Sequence, residues 1–385
     1  MSNINKTKKV FTGSGSGSSD SSSPKRQDFR LSLTSATPIT TTDVTNASTI
    51  YAVPYNGNTI SLYDGANWVS YDSAEFNLSL GTLTNAKLYD VFCYANSGVP
   101  TLEFLVWTNS TTRATALTYQ NGVFVKTGAT TRRYLGTFYN PGNQSSTVTM
   151  TIASPCVVTY TAHGLSANAP VVFTNSGGAL PTGITAGTTY YVASLGTMAA
   201  NTFNISATPG GALINTSGSQ SGTHTCTVGT YTEDSIVNRY LFNYYNAVPR
   251  PMYRSDATVS WAYTTATYRQ SNANLLNQFN FVVGVNDNIV AAQYHARGAN
   301  TLAGTGIISG IGLDSTTALV DGNKASNTLF QPVVSATVAA TYFDTSFSNY
   351  TGVGKHYLSM MEYSSAAGTT TWYGATSSMS GVILA

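Results

Sequence analysis

Charge is scarce in this sequence. Lys, Arg, Asp and Glu make up 9% of its 385 residues and leave a net charge of +2, against about 25% charged residues in ordinary soluble chains. With no basic stripe to neutralise phosphates, the composition argues against nucleic acid as a partner. Three cysteines are too few for a disulfide scaffold. No run approaches the ~18 apolar residues of a membrane span, so no membrane insertion is expected. The opening MSNINKTKKVFTGSGSG has lysines but no apolar core behind them. It does not read as a secretory signal, and synthesis in a cytoplasm is expected.

Hydroxyls, amides and rings stand where charge would. Thr, Ser and Asn are abundant beside 34 Gly and 25 Tyr, while 42% hydrophobic and 11% aromatic residues supply enough apolar surface to fold. Neutral surfaces over strands rich in Thr, Val and Tyr suit extracellular β-proteins and virus particles. The length allows two or three domains with proper cores. The predicted fold is mainly β: two β-sandwich or barrel-like domains joined by one amphipathic helix, with a small inserted β module and an extended N-terminal arm.

The arm covers 1–34. Lys6, Lys8, Lys9 and Phe11 precede a Gly/Ser run over 13–23, followed by Arg26 and Phe29. Alone this is linker composition; the reading is an arm threading along a partner or a sister subunit, gripped through those six residues. The first β domain, 35–142, is punctuated by Asn56-Gly57, Asp64-Gly65 and Asn121-Gly122, each between short apolar runs, which is a hairpin signal. The run 102–107 is apolar on both faces, so a central strand or a subunit contact is expected there. From 140 to 230 no Asp, Glu, Lys or Arg occurs. Val148, Met150 and Ile152 alternate within this stretch, and Gly- and Pro-rich turns separate further strands. Residues 143–230 therefore read as an independent module hung from a loop.

One helix is predicted, over 231–250. Ile236, Val237, Tyr240, Leu241, Tyr244 and Tyr245 recur at the spacing of a wide apolar stripe. Thr232, Glu233, Asp234 and Ser235 suit a helix start, and Pro249 and Pro251 forbid continuation. Ile236, Tyr240, Leu241, Tyr244 and Tyr245 should pack on a sheet. The second β domain, 251–385, has strands that include an alternation at Phe279, Phe281, Val283 and Val285. Its apolar end, 381–385, should be a buried edge strand or an interface.

No reaction is legible. Glycoside hydrolysis needs two acids at controlled separation; Glu75, Glu103, Glu233, Asp234, Asp314, Asp321, Asp344 and Glu362 are available, none in a distinctive motif. His163, His224, His295 and His356 show no metal-ligand spacing. The run GTGIISGIG at 304–312 fails the dinucleotide-binding spacing, and no cofactor is expected. Cys156 and Cys226 flank the module and are either a loop-stapling disulfide or two buried thiols. Trp68, Trp261, Trp372 and Tyr373 could stack on sugars, although such rings in sheets are more often core.

Several stretches resemble a widespread virion protein of tailed bacteriophages: PYNGN at 54–58, ISLYDG at 60–65 with Trp68, KLYDVF at 87–92, LVWTN at 105–109, GATTRRYLGTFY at 128–139, RYLFNYYN at 239–246 and GLDSTTA at 312–318. The resemblance covers most of 50–139 and 232–375 and implies a particle component rather than an enzyme. The insertion is similar to a different module, through TAHGL at 161–165, LPTG at 180–183, TYYV at 189–192 and NTFN at 201–204. That repeat is named after a catalytic-cysteine half-domain of ubiquitin-activating enzymes, but neither Cys156 nor Cys226 has an acid or base beside it. The expected function is a non-enzymatic virion component, a homotrimer attached to head or tail as a fibre or spike. Its partners are then sister chains and capsid, portal, collar or tail proteins. A capsid decoration protein and a host adhesin that binds or cleaves surface glycan are the alternatives.

Overall fold

The computed structural model describes residues 25–385 except 82, 85, 142–144, 162, 164, 166–168, 194, 200, 303–304 and 321–339. Lys6, Lys8, Lys9, Phe11 and Asp321 lie outside the described residues. The fold is mainly β, and among the described residues there is no α-helix, only single 3-10 turns at Ser271–Ala273 and Gly374–Thr376.

The strands before the module are β1 (Phe29–Ser32), β2 (Val44–Ala47), β3 (Thr49–Pro54), β4 (Thr59–Tyr63), β5 (Trp68–Asp72), β6 (Phe76–Ser79), β7 (Lys87–Asn96), β8 (Val99–Val106), β9 (Leu117–Gln120), β10 (Val123–Lys126) and β11 (Ala129–Asn140). Those of the module are β12 (Ser145–Met150), β13 (Val157–Thr159), β14 (Pro170–Ser176), β15 (Thr189–Val192), β16 (Met198–Ala199), β17 (Thr202–Ser206) and β18 (Thr223–Val228). After it come β19 (Thr232–Asp234), β20 (Asn238–Arg239), β21 (Leu241–Asn243), β22 (Pro249–Ser255), β23 (Trp261–Tyr263), β24 (Arg269–Gln270), β25 (Gln278–Val283) and β26 (Val290–Asn300). The chain closes with β27 (Ile307–Leu313), β28 (Thr341–Asn349), β29 (Gly354–Ser364), β30 (Thr370–Trp372) and β31 (Ser378–Leu384).

Turn chemistry sets the first hairpins. Asn121 and Gly122 are both left-handed, at φ 50° and 83°, and close β9 on β10 as Asn-Gly should. Asp64 accepts from the N–H groups of Ala66 and Asn67 at 2.8 and 2.7 Å between β4 and β5. Asn56-Gly57 closes no hairpin; it carries the chain from β3, which pairs with β1 and β6, to β4, which pairs with β5. The larger sheet runs β8-β7-β11-β10-β9. β8 is therefore an edge strand, which removes the central-strand alternative for 102–107 and leaves that of a subunit contact, and Phe104, Leu105 and Val106 stay half-buried. Phe29, Leu31, Ile50, Ile60, Val91, Leu135 and Phe138 fill the space between the sheets.

One expectation for the arm fails at its inner end, that for Phe29. β1 pairs with β3 along its length and every residue in it is buried, so Phe29 is core of its own chain and not a grip on a neighbour. Arg26 pairs with Asp28 at 2.5 Å.

The predicted helix over 231–250 is instead three short strands, β19, β20 and β21, and the start of β22. The apolar stripe was genuine, but its period is two. Tyr240 and Phe242 enter the core of the C-terminal half, while Leu241 between them enters the core of the N-terminal half. A helix would also have left Arg239 and Asn243 facing solvent, whereas both are buried and bonded. Tyr244 and Tyr245 are half-buried around Phe124 and Arg133, and Ile236 is half-buried in the turn before β20. Tertiary pairing overrode local propensity.

These strands interleave the two halves. β21 joins the N-terminal sheet on β11, and β2 from the N-terminal half joins β19 in the sheet β2-β19-β20-β25-β29-β24, where β27 also pairs with β29. The facing sheet is β22-β31-β26-β30-β23, with β28 on β26. Between them lie Phe279, Phe281, Tyr294, Phe343, Leu358, Met360, Trp372 and Ile383. β31 is flanked by β22 and β26, so the chain end is an interior strand, not an edge. At the seam a Cβ on Gly136 would stand 2.1 Å from the carbonyl oxygen of Phe242 in β21. Gly136→Ala should therefore push β21 off β11 and lower stability by about 1–3 kcal/mol, the usual cost of overpacking, read as a lower urea midpoint. An unchanged midpoint would contradict this close approach.

The module closes on itself. β13-β12-β18-β14-β15-β17 is a ring, because β17 pairs back to β13, and β16 lies on β17. Closure removes edges. Alternation fills the six-stranded barrel with Val148, Met150, Val158, Val171, Phe173, Val192, Phe203, Ile205 and Val228. Ile152, the third residue of the predicted alternation, falls past β12 and is exposed.

Candidate functional site

The carboxylates are spread over the fold, each with its own partners. Glu75 accepts from Ser35 and from the N–H of Ala36; Glu103 pairs with Lys126 and Arg132. Asp234 holds Arg239 and Arg250, Asp314 meets His356 at 2.7 Å, and Asp344 meets His295 at 2.8 Å.

Glu362 is the case closest to catalytic form. Burial pushes its carboxyl up to about 7, against the pull of Arg269. Nearby Asp256, which the sequence reading did not single out, goes the other way. Burial would raise it, but hydrogen bonds from Asn277, Thr258 and Asn272 outweigh that and hold it at about 2. Asn272 links the two: its N–H reaches Glu362 at 3.3 Å and its amide reaches Asp256 at 3.2 Å. It does so from a left-handed backbone at φ 59°. Two acids driven apart in this way are what general acid–base chemistry looks for. Yet Glu362 is fully buried, with Arg269 Nε on one oxygen at 2.7 Å and Trp261 Nε1 on the other at 2.8 Å. A carboxylate whose oxygens are both engaged and shielded fastens β24 and the 3-10 turn to β29.

The thiols are shielded as well. Cys156 and Cys226 are free and buried, so no disulfide staples the module. Burial raises both, Cys226 to about 12, which leaves little thiolate to act as a nucleophile. Among the described residues no group of three or more His, Cys, Asp or Glu could hold a metal ion. His163 bonds the Ala199 carbonyl at 2.8 Å. His224 lines a cleft of about 300 Å³ between β12 and the strap at 220–223. Asn175 and Gln220 engage its two ring nitrogens at 2.7 and 2.9 Å.

Exposed polar and aromatic side chains gather on one face of the C-terminal half. The outward residues of β26 are Ala291, Gln293, His295 and Arg297. Register places Gln293 in a row with Tyr253, Ser380 and Ser346, and His295 in a row with Ser255, Ser378 and Asp344. Serines make a low floor. Tyr342, opposite Arg297 on β28, stacks on the His295 ring at 4.8 Å and 20°. The Arg297 guanidinium sits 5.5 Å from the Tyr342 ring and 4.7 Å from that of Tyr373. Tyr373 thus belongs to this face, whereas Trp372 is core, Trp261 serves Glu362, and Trp68 packs on Tyr63. Tyr253 and Tyr342, 43% and 47% exposed, were not singled out in the sequence; only the strand register reveals them.

No family model matches the chain, and no curated protein matches it. Among solved structures, the mosquito-larvicidal Cry4Aa toxin of Bacillus thuringiensis is similar at 9% identity over 88% of this chain, with a TM-score of 0.16. This chain spans about half, 49%, of that toxin chain. A likeness so slight carries no argument.

Proposed function

We propose that this chain is a non-enzymatic structural component of a tailed-phage virion. It acts as a homotrimer, attached to head or tail as a fibre or spike through its N-terminal arm. The observation that carries the reading is how the neutral barrel is mounted. The chain leaves the body at β11 and returns at β19, where Thr232 Oγ1 donates to the Tyr139 carbonyl at 2.7 Å. A closed barrel on a pinched stem adds surface at little cost to the body that carries it. No charged side chain lies between 140 and 230, and such a surface offers little purchase for nonspecific electrostatic adhesion. The resemblance of 50–139 and 232–375 to phage virion proteins supports the same role, with capsid, portal, collar or tail proteins as partners and the host cytoplasm as the place of assembly.

Light scattering on the purified full-length chain should give a mass near three times 40.6 kDa. Gold-labelled antibody should mark a fixed position on intact particles. A monomer that labels no particle would overturn the proposal.

A further inference from the structure

We infer that His224 is an acid-operated latch: its neutral ring holds the strap at 220–223 against β12 at one end of the barrel, and protonation frees the strap and opens the apolar interior. The inference concerns the module alone and does not rest on the virion reading.

Register places buried His224 between Val148 of β12 and Asn175 of β14. Past this row the ladder between β12 and β18 stops. Gly222 turns at φ 77° and lies against Ser176 and Gly178, and the cleft beside β12 is the gap that remains. Side chains span it. Gln220 Nε2 donates to the Met150 carbonyl at 2.6 Å, and Asn175 Nδ2 donates to the Ser221 carbonyl at 2.7 Å. A carbonyl oxygen only accepts, so both amides are fixed in orientation. Gln220 then presents Oε1 to His224 Nε2 at 2.9 Å, and Asn175 presents Nδ2 to His224 Nδ1 at 2.7 Å. The ring that fits carries its proton on Nε2 and a lone pair on Nδ1.

An imidazolium would set a second N–H against the Asn175 donor. The acceptor at hand is Asn175 Oδ1, buried and without a partner. Reaching it requires the amide to turn over, which brings Oδ1 against the Ser221 carbonyl, oxygen to oxygen. The strap is then left with the backbone pair between Ser221 and Ala179, 3.1 Å each way, without the amide that backs it. Nothing nearby offsets the new charge. No Asp, Glu, Lys or Arg lies between 140 and 230, and β12, β14 and the strap bring no titratable side chain to the ring. On its own strand the next inward residue is Cys226, whose thiol burial pushes up to about 12 and so keeps neutral. A buried charge without a counter-ion is costly. The closed latch has no place for the second proton, so acid favours the open form. Opening uncovers Val148 and Met150, which line the cleft and belong to the barrel core.

Deuterium exchange of the full-length protein, read by mass spectrometry, tests this. Protection of the amides at 179 and 221, corrected for the intrinsic pH dependence of exchange, should fall by about tenfold or more from pH 7.5 to pH 5. Exchange at the His224 ring carbon Cε1, which reports ring protonation, should turn over at the same pH. His224→Gln, which cannot take a second proton, should keep its protection at both pH values. Asn175→Ala, which removes the amide that must turn, should leave the strap loose at both. His163→Gln, at the module's other histidine, should leave the acid response intact. Equal protection at pH 7.5 and pH 5, an acid loss that persists in His224→Gln, or one that vanishes in His163→Gln would overturn the inference. So would loss of protection in the unaltered chain before the His224 ring titrates, a comparison that needs no substitution.

Discussion

Asp234→Ala should cost about 3–5 kcal/mol of folding stability, the usual penalty for stranding buried charge. Asp234 sits in β19 and accepts from Arg239 Nη1 at 2.8 Å and Arg250 Nη2 at 2.7 Å. Both arginines are only 5% exposed. Arg30 is beside them, and burial and the charge of Arg250 lower it from its ordinary value to about 10. The surrounding void is about 10 Å³, too small to admit the water needed to solvate three guanidinium groups. Each arginine also holds backbone. Arg239 reaches the Pro251 carbonyl, Arg250 that of Thr40, and Arg30 those of Pro38, Asn246 and Ala385. Losing Asp234 should therefore loosen β1, β22 and the chain end together. Urea unfolding of Asp234→Ala beside Asp344→Ala checks this. The second removes an exposed pair, worth about 0–1 kcal/mol. Similar small losses in both would refute the cluster's role.

Much of the fold is written locally, and the failures share a cause. The strand Ile307–Leu313 ends where its apolar pattern and the turn after it say it should. The barrel's strands likewise follow from alternation broken by Gly and Pro. What the chain hides is pairing at long range. Asp234 is buried because Arg250 and Thr40 come to it, and Thr40 lies far outside any window around the segment. Read without those partners, Glu233 and Asp234 look like helix-start acids and the tyrosines like a helical stripe. The exchange of β2 and β21 between the halves is invisible for the same reason. The exposed face of β26 and β28 shows the pattern again: Arg297 and Tyr342 are far apart in sequence and meet only through the β26–β28 register. Asp256 escaped notice because Asn272 and Asn277, which set its environment, are ordinary residues in sequence.

Glu233, next to Asp234, has the opposite environment, and Glu233→Gln should stabilise the protein above neutral pH. Burial pushes the Glu233 carboxyl up to about 7, and the charges of Asp43 and Asp234 add to the shift against hydrogen bonds from Asn238 and Ser235. One carboxylate oxygen is buried without a partner. A carboxyl that titrates near 7 in the folded chain and near its ordinary 4.5 in the unfolded chain binds its proton more tightly when folded. Between those values the folded state carries more protons, so stability falls as pH rises and levels off above about 7. A shift of this size corresponds to a loss on the order of 3 kcal/mol. Glu362, raised to the same value by burial, contributes in the same direction. Stability measured from pH 5 to pH 8 should therefore decline in the parent chain. In Glu233→Gln the decline should be shallower, with the remainder carried by Glu362, and the variant should be the more stable of the two at pH 8. Parallel curves for the two proteins would mean that Glu233 is solvated in the folded state.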